Sequence, residues 1–383
     1  MIARELSATV KEIAGYYPVV TIMGPRQSGK TTLAKALFPR HAYFNLETSH
    51  VRDAALADPR AFLASARGGG MILDEIQKAP QLLESVQAFV DEEKRNGRFV
   101  ITGSHQPELA QAISESLAGR TGIAELLPLS APELKAAGID SAKRDRMLFA
   151  GSMPRIYDSR IPPTRFYSDY FRTYIERDVR KILNVADLDR FELFVKLLAG
   201  RVGQLLNRQA LASDVGVSDK TISSWISVLQ ASYIVFPLKP YYRNLGKRQT
   251  KSPKIYFFET GLVSYLLGIR SSESIATHPL MGNLFENFVV AEELKYRFNR
   301  GEEADVYFFR NSSGTTEVDL VVEREGRIHP IEIKASSTFS GSMAKGLKSF
   351  ATICPEAEPG RVVYSGETMP AAANFSDTAA WCA

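Results

Sequence analysis

Three stretches of the 383-residue chain carry residue types whose spacing could do chemistry. In "YYPVVTIMGPRQSGKTTLAKAL", Gly24, Pro25, Arg26, Gln27, Ser28, Gly29, Lys30 and Thr31 follow the phosphate-loop pattern, with Thr32 next. Glycines let the backbone curl so that its N–H groups face phosphates, and the helix that follows adds its positive end. Lys30 is placed to reach the β- and γ-phosphates of ATP, and Thr31 to hold Mg²⁺. In "GGGMILDEIQKAP", an apolar run ends in Asp74 and Glu75. Asp74 is expected on the Mg²⁺ through water, and Glu75 as the base for the attacking water. In "GTTEVDLVVEREGRIHPIEIKAS", Asp319 precedes Glu332 and Lys334 across a predicted hairpin.

These residues need elements to hold them. The phosphate loop sits between a buried strand and an amphipathic helix. "GRFVITGSH" reads as another buried strand, ending in Thr102, Gly103 and Ser104. In an open α/β sheet ligands sit beyond the carboxyl ends of the strands, which brings these hydroxyls near the γ-phosphate, with Ser104 as the expected contact. Arg120, in "SLAGRTGIAELLPLS", reads equally as a finger for a neighbouring subunit's γ-phosphate or as one half of a local salt bridge. For the hairpin, a turn at Glu325-Gly326 puts Asp319 opposite Glu332, Glu317 opposite Lys334 and Pro330 opposite Val321. Alternation then gathers Glu317, Asp319, Glu332 and Lys334 on one face, and Val318, Leu320, Ile331 and Ile333 on the other. Facing carboxylates are about 5 Å apart at Cβ, close enough to share a divalent ion.

The middle of the chain is basic. From Arg201 to Ile255, nine Lys or Arg face only Asp214 and Asp219, a balance of +7 in a chain whose total is +4. That asymmetry points to a polyanion, with DNA as the expected partner. Leu211, Val215, Ile222, Trp225, Ile226 and Leu229 keep helical spacing, interrupted at Gly216 and restarted by Ser218 as N-cap. A strand from Tyr233 completes the pattern of a winged helix-turn-helix. Lys220 and Thr221 fall at the start of its second helix. Arg243, Lys247, Arg248 and Lys251 are the expected phosphate contacts of the wing. The same layout also serves as a protein–protein joint.

Composition limits the setting. Two cysteines, Cys354 and Cys382, make no disulfide framework. The N-terminal stretch lacks the apolar core of a signal peptide, and no apolar run approaches a membrane span. A cytoplasmic protein without a membrane partner is expected.

The ordered set of "GPRQSGKT", "MILDEIQKAP", "FVITGSH", "SLAGRTGIAELLPLS", "GSMPRIY", "LLNRQALASDVGVSDKTISSWISVLQASYIVFPLK", "HPLMGNLFENFVV" and "EVDLVV…IEIKAS" resembles a family of bacterial and archaeal AAA-type ATPases. Its members fuse the ATPase to a C-terminal domain of unknown function similar to PD-(D/E)xK nucleases. Where the family carries Gly-Gly, this chain has Gly151-Ser152. The resemblance implies an α/β fold in four parts: a P-loop NTPase parallel sheet over 1–135, a helical lid over 136–200, a winged helix-turn-helix over 201–256 and a restriction-endonuclease-like domain over 257–383. It implies that Glu286, Asp319 and Glu332 hold Mg²⁺ or Mn²⁺ and that Lys334 assists catalysis. An ATPase that binds and cleaves DNA follows, as a homo-oligomer and a ring if Arg120 acts in trans. The alternative is a nucleotide-driven switch whose C-terminal domain binds a partner and cuts nothing.

Overall fold

The computed structural model describes residues 2–66, 69–103, 107–174, 188–242 and 252–382. Strands β1 (Val19–Met23), β2 (Ala42–Asn45), β3 (Met71–Asp74), β4 (Phe99–Thr102) and β5 (Thr121–Glu125) form a parallel sheet in the order β2-β3-β4-β1-β5. A parallel sheet covered by helices on both faces requires apolar residues in both directions. Every residue of β1, β3 and β4 is buried accordingly. Separate apolar clusters lie against the two faces. Because all strands run the same way, the phosphate loop, Asp74 and Thr102 emerge side by side at one edge.

Helices Arg208–Val215 and Asp219–Ala231 follow one another across a turn at Gly216, and the basic stretch of the expected wing, 243–251, lies outside the described residues. Gly216 closes the first with a φ of 74°. Ser218 Oγ accepts the Thr221 N–H at 3.0 Å, a cap worth about 1 kcal/mol. Phe191 and Phe194 pack on the Trp225 ring with centroids 5.2 Å away.

A second sheet holds β6 (Val235–Pro240), β7 (Lys254–Phe257), β8 (Val306–Arg310), β9 (Glu317–Arg324), β10 (Arg327–Lys334), β11 (Arg361–Tyr364) and β12 (Ala372–Asn374). Its order is β12-β11-β10-β9-β8-β6-β7. The expected boundary at 256/257 therefore runs through one continuous sheet. β6 pairs with β7 on one edge and with β8 on the other, which joins the strands after the helix-turn-helix to the C-terminal strands. One apolar cluster extends from Leu127 to Cys382. Across it runs helix Met281–Phe298, 18 residues and about 27 Å long.

The β9–β10 hairpin has the predicted register, with Pro330 opposite Val321 and Ile331 opposite Leu320. The expected faces need one correction. Tyr307 on β8 lies opposite Val321 while Phe309 lies opposite Val318, so β9 holds an extra residue there. Such a bulge reverses the alternation beyond it. Val318 packs with Val321 and Ile328, away from Leu320, Ile331 and Ile333. Glu317 turns with it, pairing with Lys254 at 2.7 Å in place of the expected Lys334.

Candidate functional site: a phosphate loop and a C-terminal ionic cluster

The phosphate loop leads into helix Lys30–Leu37, so Lys30 and Thr31 open its first turn. Asp74, at the end of β3, is 5 % exposed and collects three hydroxyls. Thr31 Oγ1 lies 3.0 and 3.1 Å from its two oxygens, Tyr43 donates at 2.7 Å, and Thr102 donates to Oδ1. Lys30 Nζ donates to the Gly24 and Pro25 carbonyls at 3.0 and 2.7 Å. Burial pulls its pKa down to about 8, against the attraction of Glu75 and Asp74. Glu75 follows in a left-handed conformation with φ 58°, and Gln77 donates to its carboxylate. A cavity of about 620 Å³ opens over the loop, bounded by Ile2, Leu37, Glu75, Leu129 and Arg155.

A buried carboxylate beside a threonine hydroxyl, with an ammonium on the same loop, is a donor set that fits a magnesium–nucleotide complex. Thr102 reaches Asp74, whereas Ser104, the expected contact, lies outside the described residues. Sequence reasoning missed Tyr43, Gln77 and Arg155. Tyr43 had no local signal, because only the pairing of β2 with β3, Tyr43 beside Ile72 and Asn45 beside Asp74, brings its hydroxyl to that carboxylate. Arg120 forms a bidentate pair with Asp91, at 2.6 and 2.8 Å. That is the local salt bridge of its two readings, and action in trans requires this pair to open.

The expected DNA-facing residues divide. Lys220 is exposed and Thr221 half-buried at the helix-turn-helix tip. Arg243, Lys247, Arg248 and Lys251 lie outside the described residues. Part of the +7 balance is spent internally. Arg201 pairs with Asp214 at 2.5 Å, Arg208 with Asp219 at 3.5 Å, and Lys254 is buried among acids.

In the C-terminal domain Asp319, Glu332 and Lys334 share one face. Lys334 Nζ lies 3.1 Å from Asp319 and 2.7 Å from Glu332, and Asp319 also accepts the Ile333 N–H at 2.8 Å. Burial, with Asp319 nearby, pushes the Glu332 carboxyl up to about 7. Glu332 Oε2 is buried without a hydrogen-bond partner. Glu286 turns elsewhere. It takes Lys254 Nζ at 2.9 Å and the Tyr256 hydroxyl, and burial raises its pKa against the pull of Lys254. Among the described residues no three His, Cys, Asp or Glu side chains are arranged to hold a metal ion. The expected trio of Glu286, Asp319 and Glu332 does not fit one, because an ammonium stands among the acids.

The two sites are joined by helix Met281–Phe298. Glu286 stands in its early turns, while Glu292 and Lys295 meet the ATPase. Glu292 accepts the Ala131 N–H at 2.7 Å, and Lys295 donates to the Leu129 carbonyl at 3.0 Å and to Ser152 at 2.9 Å. Leu129 borders the nucleotide cavity, and Ser152 precedes Pro154 and Arg155 at its rim. Ser152 is the residue that departs from Gly-Gly, and its hydroxyl is used: it also donates to Glu259 at 3.0 Å. Gly151 must stay glycine, since its φ is 67° and a Cβ would lie 1.9 Å from Glu259.

Two curated proteins, both uncharacterized, one from Mycobacterium tuberculosis and one from Mycobacterium bovis, are 32% identical over 367 residues, covering 95% of this chain and 80% of theirs. The chain belongs to their family. Within this chain, the AAA domain family matches residues 16–135. Two domains of unknown function, DUF8612 and DUF4143, match 141–273 and 281–378. The N-terminal part is an AAA-family, P-loop ATPase-like domain. Among solved structures, the Walker-type ATPase of Pyrococcus abyssi aligns at 14% identity and TM-score 0.43, over 70% of this chain and 96% of its own. AMPPCP-bound DnaA from Aquifex aeolicus aligns at 15% and 0.31, over 59% and 85%. No described helix is long and apolar enough to cross a membrane.

Proposed function

We propose that this protein is an ATP-hydrolysing switch that contacts DNA through its helix-turn-helix and passes its nucleotide state to the C-terminal domain. The observation that carries the ATPase part is the convergence of Thr31, Tyr43 and Thr102 on Asp74, beside a buried Lys30. In this reading Gly24 to Thr32 cradle the phosphates, and Lys30 neutralises them. Thr31 and Asp74 hold Mg²⁺, which when bound offsets the charge that develops on the phosphate oxygens. Glu75 orients the attacking water and takes its proton, and the amide of Gln77 keeps that carboxylate aimed. Arg155 reaches the phosphates from the lid. Arg120 would serve a neighbour's site in a ring only after leaving Asp91.

The switch part is supported by helix Met281–Phe298, whose Glu292 and Lys295 grip backbone groups at the nucleotide cavity while Glu286 lies in the C-terminal cluster. Lys220, Thr221 and the basic residues Arg243, Lys247, Arg248 and Lys251 supply the DNA contact, largely to phosphates and so with little sequence preference. A second reading, metal-dependent DNA cleavage, is favoured by one observation: Lys334 touches both Asp319 and Glu332 on one face. No step is assigned to a metal there, because Glu286 does not fit as its ligand.

The test is hydrolysis of ATP by the full chain, with linear and circular DNA incubated alongside in Mg²⁺ or Mn²⁺. Lys30→Ala should abolish nucleotide binding, while Glu75→Gln should bind ATP and turn over roughly 100-fold or more slowly. DNA should be shifted on a gel and left uncut. Cleavage that Lys334→Ala abolishes would replace the switch with the second reading, and hydrolysis that survives Lys30→Ala would remove the ATPase assignment.

A further inference from the structure

Four carboxylates and two ammonium groups meet where β7, β9, β10 and helix Met281–Phe298 converge. They divide into two halves. Lys334 serves Asp319 and Glu332. Lys254 serves Glu286 at 2.9 Å and Glu317 at 2.7 Å. Lys254 is 4 % exposed, a degree of burial that lysine tolerates only when paired. Its ammonium stands 5.4 Å from the centre of the Phe308 ring. Burial disfavours its charge, but Glu286, Asp319 and Glu317 together outweigh that and hold its pKa above the ordinary value.

The lysine is fixed in place. β7 is clamped to the long helix by Asn287, which accepts the Phe257 N–H at 2.7 Å and donates to the Phe257 carbonyl at 3.1 Å. Tyr256, next to Lys254, gives its hydroxyl to the same Glu286 oxygen. The bulge in β9 contributes as well, since it turns Glu317 toward Lys254 and away from Lys334. Without Lys254, Glu286 and Glu317 would be two buried or half-buried acids facing one gap, the charge and donor type that hard divalent cations take.

We propose that Lys254 is a built-in cation that occupies the position between Glu286 and Glu317 and keeps divalent metal ions off Glu286. The C-terminal cluster is thereby closed to a metal site that includes the helix glutamate. Removing the ammonium creates such a site, for Mn²⁺ or Mg²⁺, from Glu286, Glu317 and Asp319. This inference rests on the cluster alone and on neither the ATP nor the DNA reading.

The test titrates Mn²⁺ alone into nucleotide-free full-length protein and follows free Mn²⁺ by electron paramagnetic resonance. All proteins carry Asp74→Asn, so that the phosphate loop adds no metal site. Lys254→Met should gain a saturable site that binds Mn²⁺ about tenfold or more tightly than the parent does, and adding Glu286→Gln should remove it. Lys254→Met should also melt lower than the parent in chelator and recover with Mn²⁺, because buried Glu286 then lacks the ammonium that balances it until an ion enters. Equal Mn²⁺ affinity in the parent and a folded Lys254→Met overturns the proposal. If Lys254→Met does not fold, Glu286→Gln in the parent decides. An unchanged Mn²⁺ affinity upholds the proposal, and a loss of about tenfold makes Glu286 a ligand beside Lys254 and overturns it.

Discussion

Removing Lys295 should loosen the whole joint between the C-terminal helix and the nucleotide cavity. Lys295 is 3 % exposed and Glu292 1 %. The ammonium makes three bonds, to Glu292 at 2.7 Å, Ser152 at 2.9 Å and Leu129 at 3.0 Å. Lys295→Met keeps the apolar stem and deletes the charge. Glu292 is then left buried with only the Ala131 N–H as a partner, a situation that costs about 3–5 kcal/mol. Glu292→Leu should cost a similar amount by stranding the lysine. The double variant removes both charges, leaving chiefly the unsatisfied Ala131 N–H, at about 1–3 kcal/mol. The pair should therefore show a coupling energy of about 6 kcal/mol, the double variant costing far less than its two singles together. Urea unfolding followed by the fluorescence of buried Trp225 and Trp381 measures all three variants. Single variants that each cost less than about 1 kcal/mol, or a double variant as costly as their sum, would refute the reasoning.

Two further outcomes follow from other places in the molecule. With Lys30 held at about 8 by burial, phosphates should favour its charged form and lift the pKa back, so ATP binding takes up a proton above about pH 8 and almost none at pH 7. Calorimetry in buffers of different ionisation enthalpy reads this directly, and uptake that does not rise with pH contradicts it. Gly346→Ala sets two effects against each other. Helix propensity favours alanine by about 1 kcal/mol, but its Cβ would lie 2.4 Å from the Glu317 carbonyl oxygen and 3.0 Å from Glu332 Oε2. The clash should win, lowering stability by about 1–3 kcal/mol, and a variant that melts higher than the parent would disprove the close approach.

Local signals were read well where one segment carries the whole device. The phosphate loop, the Gly216 break and the Ser218 cap are each set within about four residues, because they depend on φ and on side chains meeting their own backbone. The hairpin register, down to Pro330 opposite Val321, followed from turn and alternation. What was missed depends on partners far away in the chain. The bulge answers to β8 rather than to the hairpin turn, so period-two reading carried Glu317 and Val318 to the wrong side. Lys254 was counted as part of a basic, DNA-facing surface, since net charge does not say which way a lysine points.

By itself, then, the amino-acid sequence determined the chemistry available: a phosphate loop, an acid at the end of a neighbouring strand, a helix-turn-helix, and an acid–acid–lysine hairpin. Each is specified by residues close in the chain, where spacing is geometry. Tertiary structure decided which charges meet. It gave Asp74 three hydroxyls from three elements, Glu286 to Lys254, and the rim of the nucleotide cavity to Lys295. Buried charges are tolerated only with partners, and those partners come from strands and helices that the fold, rather than the local chain, brings together.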